Sequence, residues 1–596
     1  MKKKLPSWDV VHNYNVSSMG RIWILYNKDI VSINPLIKHN QFIHCSLSNG
    51  DMKLNCTVVY GSYVSEQRLE LWEKLRLISE NMTEKWVIMG DFNAVMSNSD
   101  RIGGVDIDSQ AGLDFKNWSD QANVIELKHQ GHVFTWFNNQ RGDKRIWRKL
   151  DWCFVNEIWM ENWVDSYCRA ENAGISDHCP LVVNFGNIVN DRRSIFRFFN
   201  IWCNHPRYHE IVSNSWNVRR MGSKMFQVYQ KLKFLRHELR SLNKRDFSGI
   251  SERVNQTRVL LSNLQAELLK DPFNEILHDE ERAISINLHR IMSWEESILR
   301  QKARVLWIKL GDHNTKFFHR SLIQRQSRKK IISLKMPDGN FCTDPDKIKE
   351  MIVKHFEDFI GSKNSNRVPA YNTLIGEGIV LDDIDRTALD MEVSDEEVKS
   401  AIFSINNDKA PGPDGFSSAF FKHSWSIVGE EVSNAILEFF SSGKMLKQAN
   451  STIITLIPKV DCPETIGEYR PIACCNVIYK GISKIIARRI KKVLNKIINP
   501  CQSAFVPGRN IADNILLAHE VVRNYHRGKG NNCALKVDIQ KAYDSLEWDF
   551  IEEVIIGFRF PDRFIKLTME CIRSSMFSVM VNGEITGFFP GGRGLR

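Results

Sequence analysis

Polar side chains that can handle phosphate groups occur at two places in the first third of the chain. Asp91 and Asn93 follow the short apolar run 86–89, in the order Gly-Asp-Phe-Asn. Residues two apart in extended chain point the same way, so a carboxylate and an amide would face one pocket. Farther on, Asp177 directly precedes His178, where a carboxylate can orient an imidazole. These residue types predict phosphodiester chemistry, although each pair taken alone is more often a turn or a surface loop.

The order of these residues along the chain is more specific than any one of them. The order is Tyr60, Gly90-Asp91-Phe92-Asn93, Thr135-Trp136, Leu150-Asp151 and Ser176-Asp177-His178. This order resembles the endonuclease/exonuclease/phosphatase family, specifically the apurinic-type endonucleases of LINE retrotransposons. The resemblance covers roughly residues 8–187 and implies part of a four-layer α/β sandwich.

The resemblance also implies a role for each residue. His178 and Asp177 would handle proton and phosphate chemistry, with Asp177 as a metal ligand. Asp91 and Asn93 would position the attacking water and the scissile phosphate. The cofactor implied is Mg²⁺, which neutralises developing phosphoryl charge.

Two further residues have implied roles, and one family feature has no counterpart. Asp151 would assist near the leaving group or the metal, and Tyr60 would contact phosphate. The family pattern begins with a strand carrying an Asn and a second strand ending in a metal-binding Glu, whereas the match here starts at about Trp8. We therefore expect endonuclease activity to be absent or very low.

A second constellation lies in the segment Lys-Val-Asp-Ile-Gln-Lys-Ala-Tyr-Asp, residues 536–544. Residues 534–537 read as a buried strand that delivers Asp538 at its end, and two-metal nucleotidyl transfer needs such carboxylates. Tyr543, five residues later, has the spacing of an aromatic that lies under the incoming sugar and selects deoxynucleotides. By itself the segment fits equally well a strand followed by a helix with Tyr543 in the core.

The neighbouring motifs favour the polymerase interpretation. Lys459 lies in Ile-Pro-Lys and Arg470 in Tyr-Arg-Pro-Ile. The next predicted helix carries apolar residues on one side and a basic stripe on the other, made of Lys480, Lys484, Arg488, Lys491 and Lys492. A basic stripe is usually a solvated face, but beside nucleotide chemistry it would suit phosphate contact.

The series from 409–415 (Lys-Ala-Pro-Gly-Pro-Asp-Gly) to 591–596 closely resembles the reverse transcriptase of plant-type LINE elements, and 307–319 resembles the segment before it. The resemblance implies the fingers and palm of a right-hand polymerase. Asp538 would be the first catalytic Mg²⁺ ligand and Tyr543 the sugar gate. Lys459 and Arg470 would bind the incoming deoxynucleoside triphosphate, and 502–509 would border the template.

The family continues past the last residue with paired aspartates and a thumb. We therefore expect a non-LTR retrotransposon polyprotein fragment truncated at both ends, which performs no templated synthesis alone. The alternative is a non-catalytic nucleic-acid-binding or interaction protein derived from such an element.

Patterning predicts a multidomain α/β and α+β chain in three parts. Residues 1–187 would be the back part of the endonuclease domain, 188–370 a helical connector and 390–596 the front part of the polymerase. The helical patterns from 224 to 304 fit a connector or a coiled-coil hairpin, and the lack of sustained heptads favours the connector. Ser394 with Glu397 predicts a capping box.

Composition limits the other classes. The 596 residues carry a net charge of +11, which permits polyanionic partners, here DNA and RNA, without proving them. The 13 cysteines are scattered and suit reduced thiols inside a cell, in nucleus or cytoplasm. No apolar run reaches the length of about 18 residues that a membrane span needs, and no signal peptide is evident.

Overall fold

The computed structural model describes residues 6–17, 19–50, 52–104, 109–186, 195–303, 321–325, 328–363, 367–370, 375–500, 502–503, 506, 508–523, 535 and 542–595. The chain forms two compact units. Unit 1 contains residues 1–191, 310–330 and 458–469, and unit 2 contains 192–309, 331–457 and 470–596. The fold contains both sheets and many helices, as the sequence predicts. No described helix is both long enough and apolar enough to cross a membrane.

Unit 1 is built mainly from strands. They are β1 (Trp8–His12), β2 (Trp23–Asn27), β3 (Ser32–Lys38), β4 (Phe42–Asn49), β5 (Met52–Tyr60), β6 (Trp86–Asp91), β7 (Arg101–Ile102), β8 (Val124–Glu126), β9 (His129–Gly131), β10 (Trp136–Phe137), β11 (Trp147–Arg148), β12 (Asp151–Asn156), β13 (Tyr167–Ala170) and β14 (Leu181–Asn184). Six form a mixed sheet in the order β3-β4-β5-β6-β12-β8. The smaller sheets are β1-β2, β10-β11-β7 and β14-β13-β9.

The six-stranded sheet has an apolar core on each face because its central strands alternate in two apolar sets. Along β12, Trp152 and Phe154 join one core, while Cys153 and Val155 join the other. The first core is closed by helices Ser65–Glu80 and Ser109–Gln121. The second includes residues of helix Glu157–Asn162 and of β13. A strand buried on both faces needs apolar side chains at successive positions, which β12 supplies.

Unit 2 is mainly helical. Its helices are Tyr208–Trp216, Lys224–Leu242, Ile250–Leu268, Glu275–Ala303, Pro345–Phe356, Asp383–Asp390, Asp395–Phe403, Ser418–His423, Trp425–Ser442, Val477–Ile497, Ile511–Arg523, Ala542–Ser545, Trp548–Gly557 and Asp562–Arg573. Its strands are β15 (Leu334–Lys335), β16 (Phe341–Cys342), β17 (Ser451–Pro458), β18 (Tyr469–Cys475), β19 (Met576–Val581) and β20 (Glu584–Pro590). The larger sheet has the order β18-β17-β19-β20, and β15 pairs with β16.

The helical stretch from 224 to 303 has two structural roles. Helix Lys224–Leu242 contributes Leu232, Leu235 and Leu239 to one core that also holds residues of helices Trp425–Ser442 and Val477–Ile497. Helices Ile250–Leu268 and Glu275–Ala303 instead pack on each other as a helical hairpin around Val254, Leu288 and Ile291. The sequence favoured a connector over a hairpin, and the structure divides the stretch between core helix and hairpin.

A buried arginine ties several segments of unit 2 together. Ser394 caps helix Asp395–Phe403 by accepting from the backbone N–H of Glu397 at 3.3 Å, as predicted. The Glu397 carboxylate, however, binds the guanidinium of Arg489 at 2.9 Å. Arg489 also donates to the carbonyl oxygens of Leu389, Met391 and Glu392. This guanidinium satisfies backbone acceptors where the chain leaves one helix and enters the next.

The basic stripe of helix Val477–Ile497 is partly engaged within the chain. Lys480 Nζ donates to the carbonyl oxygen of Ala410 at 2.8 Å. Lys484 Nζ donates to that of Ser404 at 3.0 Å, just past the C-terminus of helix Asp395–Phe403, where cations are favoured. The Arg488 guanidinium contacts Ser400. These three side chains serve packing, and Lys491 and Lys492 are exposed.

We expect Arg489→Ala to lower the free energy of unfolding of unit 2 by about 3 kcal/mol, because it strands a carboxylate and three carbonyl oxygens. Arg488→Ala, one residue away, removes a half-buried side chain whose contacts are with Ser400 and not with a carboxylate, and should cost less than about 1 kcal/mol. Urea unfolding followed by circular dichroism measures both changes. If the two variants lose the same free energy of unfolding, the Arg489 contacts stabilise unit 2 no more than those of Arg488.

Candidate active site in unit 1

Three candidate residues lie side by side at one edge of the six-stranded sheet. Tyr60, the last residue of β5, is the register partner of Asp91, the last residue of β6. Asp91 is in turn the partner of Asp151, the first residue of β12. Because β5 and β6 are parallel and β12 is antiparallel to β6, two strand ends and one strand start meet at this edge.

The turn after β6 brings Asn93 back onto Asp91. Asn93 has a left-handed φ of 47°, which asparagine tolerates better than most residues. Its backbone N–H donates to Oδ1 of Asp91 at 2.8 Å, and its Nδ2 donates to Oδ2 at 3.1 Å. The same Nδ2 donates to the Gly61 carbonyl oxygen at 2.9 Å. A Cβ at Gly61 would collide with the Phe92 carbonyl, so glycine permits the close approach of the two turns.

His178 joins this edge through Asp151. Its Nδ1 lies 2.9 Å from Oδ2 of Asp151. The backbone N–H of Asp151 donates to the hydroxyl of Thr135 at 3.0 Å, and Thr135 is fully buried. Asp177, which the sequence suggested as the group that orients the imidazole, instead accepts from the Trp136 indole N–H at 3.0 Å. The imidazole is therefore oriented by Asp151.

The charges of the site perturb each other. Burial, followed by the negative charge of Asp151, raises the pKa of Asp91 to about 6. The hydrogen bond to Asp151 raises the pKa of His178. A carboxylate-held imidazole with its second ring nitrogen available is the arrangement used for proton transfer. The edge therefore combines a proton-transfer group with buried acidic groups.

The structure brings together all six candidates of this unit: Tyr60, Asp91, Asn93, Asp151, Asp177 and His178. The polymerase candidates are placed differently. Asp538 lies outside the described residues. Lys459 belongs to unit 1, where its Nζ donates to the Gly467 carbonyl oxygen at 2.8 Å. In unit 2, Arg470 is exposed in β18, and Tyr543 is 57% exposed on helix Ala542–Ser545.

Two buried polar residues that no motif indicated hold the segment after Tyr60. The Gln41 side chain accepts from the backbone N–H of Ser62 at 2.8 Å and donates to the Gln67 carbonyl oxygen at 2.8 Å. Arg68 donates to the Ser62 carbonyl oxygen at 2.8 Å. Neither residue lies in a recognisable spacing with the site, so only the folded contacts reveal them. Together they fix the turn that carries Gly61 against Asn93.

The acidic groups fit a divalent cation held partly by substrate. No group of three or more His, Cys, Asp or Glu side chains in the described part of the chain is arranged as a metal cage. Asp151 and Asp177 nevertheless both raise the pKa of Asp91, so two neighbouring carboxylates lie close enough to act on this one. A Mg²⁺ ion bound by one or two carboxylates together with substrate phosphate needs no protein cage.

Comparison with known proteins identifies two family segments. Residues 2–178 match the endonuclease/exonuclease/phosphatase family. Residues 457–596 match the family described as reverse transcriptase (RNA-dependent DNA polymerase). The predicted pair of segments is thereby confirmed.

The curated relatives are proteins of transposable elements. The chain is 25% identical over 286 residues to the transposon TX1 uncharacterized 149 kDa protein of Xenopus laevis, covering 48% of this chain and 22% of that protein. It is 23% identical over 204 residues to the Pol polyprotein of retrotransposable element R2DM of Drosophila melanogaster, covering 34% and 19%. The chain thus spans about a fifth of the length of these relatives. The predicted resemblance to a non-LTR retrotransposon polyprotein is confirmed, and the plant-type assignment stays a prediction.

Solved structures with similar segments include an endonuclease domain and a bacterial toxin. The endonuclease domain of TRAS1, a telomere-specific non-LTR retrotransposon, is 16% identical, with 30% of this chain and 81% of that chain covered and a TM-score of 0.26. Beta toxin from Staphylococcus aureus is 15% identical, with 31% and 79% covered and a TM-score of 0.23. Because both TM-scores are low, these matches add no support beyond the family matches.

We expect Asp91→Asn to stabilise the protein at pH 7. The pKa of Asp91 in the folded chain is about 6 against an ordinary 3.8, so ionisation penalises the folded state above pH 6 and not below 3.8. The gain should reach about 1–2 kcal/mol at pH 7, after the loss of about one hydrogen bond, and should vanish near pH 4. Urea unfolding from pH 4 to 7 measures it.

Asp177→Asn is the matched control, because it removes an exposed carboxylate from the same edge. Its unfolding free energy should change by less than about 0.5 kcal/mol at each pH. A gain for Asp91→Asn that is the same at pH 4 and pH 7 would contradict ionisation as its source.

Proposed function

We propose that this chain, an endonuclease-family segment followed by a reverse-transcriptase-family segment, contains a DNA-nicking centre at the sheet edge of Asp91, Asp151 and His178. The observation that carries the proposal is the contact between His178 and Asp151 beside Asp91 in strand register. We infer that unit 1 takes the α/β sandwich of its family and that residues 390–596 contribute fingers and palm. The chain would act on nucleic acid inside the cell.

The proposed reaction is hydrolysis of one phosphodiester bond. Neutral His178, held by Asp151, takes a proton from water as the water oxygen bonds to phosphorus and the bond to the leaving sugar oxygen breaks. Asn93, fixed on Asp91, positions the scissile phosphate, and Tyr60 contacts it. Mg²⁺ held by Asp177, with one neighbouring carboxylate and the substrate phosphate, would supply charge neutralisation. Turnover is expected to be slow, because these carboxylates form no complete cage.

We propose that the second segment is part of a polymerase that adds deoxynucleotides, on the basis of the family match at 457–596, and that this chain alone performs no templated synthesis. Asp538 would bind the catalytic Mg²⁺ and Tyr543 would select the sugar. Lys459 and Arg470 would contact the triphosphate of the incoming nucleotide. Primed RNA template with labelled deoxynucleotide, compared between the chain and Asp538→Asn, tests this assignment. The alternative function, nucleic-acid binding without catalysis, is favoured by the net charge of +11.

We expect His178→Ala and Asp151→Asn each to slow Mg²⁺-dependent nicking of supercoiled DNA by about 100-fold or more, because each removes the proton-transfer pair. His132→Ala is the matched control: this exposed histidine contacts Asn172 and should leave the rate unchanged. Single-turnover gels with excess protein give the rates. The proposal is overturned if His178→Ala nicks DNA as fast as the parent chain. It is also overturned if the parent chain shows no nicking above the level of that variant.

The pH profile is a separate readout of the same site. Asp91 must be ionised to act, and its pKa is about 6, so the nicking rate should rise as pH increases through 6. Deprotonation of His178, whose pKa is raised, should also make the nicking rate rise with pH, since the imidazole must lose its proton to accept one from water. A rate that falls over this interval would reverse the assigned role of His178 as the base.

A further inference from the structure

A row of side chains runs away from His178 across the small sheet β10-β11-β7. Trp136 of β10 pairs with His178 through an isolated bridge and with Arg148 of β11. Arg148 pairs in turn with Arg101 of β7. Directly opposed residues of neighbouring strands project from the same face of a sheet. His178, Trp136, Arg148 and Arg101 therefore form one row that begins at the candidate active site.

Two of these neighbours carry the same charge. Arginines that face each other directly across a strand pair repel. Burial, followed by the positive charge of Arg101, lowers the pKa of Arg148. Arg148 Nε is shielded from solvent and has no hydrogen-bond partner among the described residues. The opposed arginine pair therefore does not stabilise the fold.

Neither guanidinium forms an ion pair with a carboxylate in the described part of the chain. Arg101 donates from Nε to the Gly103 carbonyl oxygen at 3.2 Å, a neutral acceptor. Arg148 lies 6.0 Å from the centre of the Trp136 ring. Both contacts orient the groups without neutralising them. An anion placed against the two guanidinium groups would offset the repulsion between them.

The next row of paired residues in the same sheet includes an arginine that packs on aromatic rings. Phe137, Trp147 and Ile102 are the register partners there. The Arg145 guanidinium lies 4.8 Å from the centre of the Phe137 ring and 4.5 Å from that of Trp147. Arg145 is thus engaged by two aromatic rings, unlike the opposed pair Arg101 and Arg148.

We propose that Arg101 and Arg148 together bind one backbone phosphate of duplex DNA, next to the phosphate that is cleaved. The subsite rests on the proposed nicking function. Two strand spacings separate Arg148 from His178, which is about 10 Å, so the phosphate bound here is a neighbour of the scissile one. A planar guanidinium binds phosphate through two donors, and two of them can share one phosphate. The pair would hold the DNA in register with His178.

The test is DNA binding by the full chain in EDTA, where no nicking occurs, with a labelled duplex titrated at several salt concentrations. One phosphate contact contributes about 0.9 to the slope of log affinity against log salt. The double variant with Arg101→Gln and Arg148→Gln should have a slope smaller by about 1. Each single variant should already show most of that reduction in slope. Arg148→Lys, which keeps the charge, should retain the slope.

Arg76→Gln is the matched control, because it removes one positive charge from a surface helix where Arg76 pairs with Glu73. It should leave the slope unchanged. Thermal unfolding without DNA separates binding from a structural role: Arg148→Gln should melt no lower than the parent chain, and higher at low salt, because repulsion is removed.

The outcomes separate this subsite from the nicking function. The subsite is overturned, even if the chain nicks DNA, when Arg101→Gln and Arg148→Gln show the same salt slope of DNA affinity as Arg76→Gln. A reduced slope in a chain that fails to nick supports the subsite while the reaction assignment fails. Equal losses on single-stranded RNA of the same length overturn the assignment to duplex DNA. A lower melting temperature for Arg148→Gln together with an unchanged slope assigns the pair to folding.

Discussion

The register of three adjacent strands is the constraint on which the candidate site depends. Asp91 and Asp151 meet because they are register partners, at the end of a paired stretch that continues through Trp152–Gly90 and Cys153–Met89. A slip of one residue would turn Asp151 to the opposite face and exchange Trp152 with Cys153 between the two cores. The volumes of those side chains differ too much for the exchange, so the apolar packing of β12 also fixes the carboxylate. Core stability and site geometry have one cause here.

That geometry places acidic groups where water is scarce, and backbone hydrogen bonds compensate in part. The Asn93 turn supplies two donors to Asp91, and the buried hydroxyl of Thr135 accepts from the backbone of Asp151. Gln41 and Arg68 hold the turn that Asn93 contacts. These contacts fix positions without cancelling the charge, so Asp91 keeps a raised pKa. A site that must receive phosphate benefits from acidic groups that are oriented in advance.

Local sequence pattern determines some elements of this fold, whereas other contacts depend on tertiary partners that are distant in sequence. Strands β5 and β6 and the Ser394 cap follow from apolar runs and a capping residue, and the structure has them. The pairing of His178 with Asp151, 27 residues away in sequence, follows from how β10 and β11 fold back, which no motif encodes. Glu397 illustrates the same limit: its spacing indicates a capping box, but its carboxylate binds Arg489. Asp538 lies outside the described residues, so its role stays a prediction.

Net charge is a poor guide to where a basic protein binds nucleic acid, because many cations serve the fold. In unit 2, Lys480, Lys484 and Arg488 contact the chain's own polar groups, and Arg509 donates to the carbonyl oxygens of Asn499, Gln502 and Ile498. A basic stripe on a helix therefore resembles a phosphate-binding face in the sequence, whereas in the fold three of its side chains bind the chain's own polar groups. The informative cations are those whose packing leaves repulsion uncompensated. Arg101 and Arg148 meet that criterion in unit 1, where a strand pair opposes two like charges that a sheet would otherwise avoid.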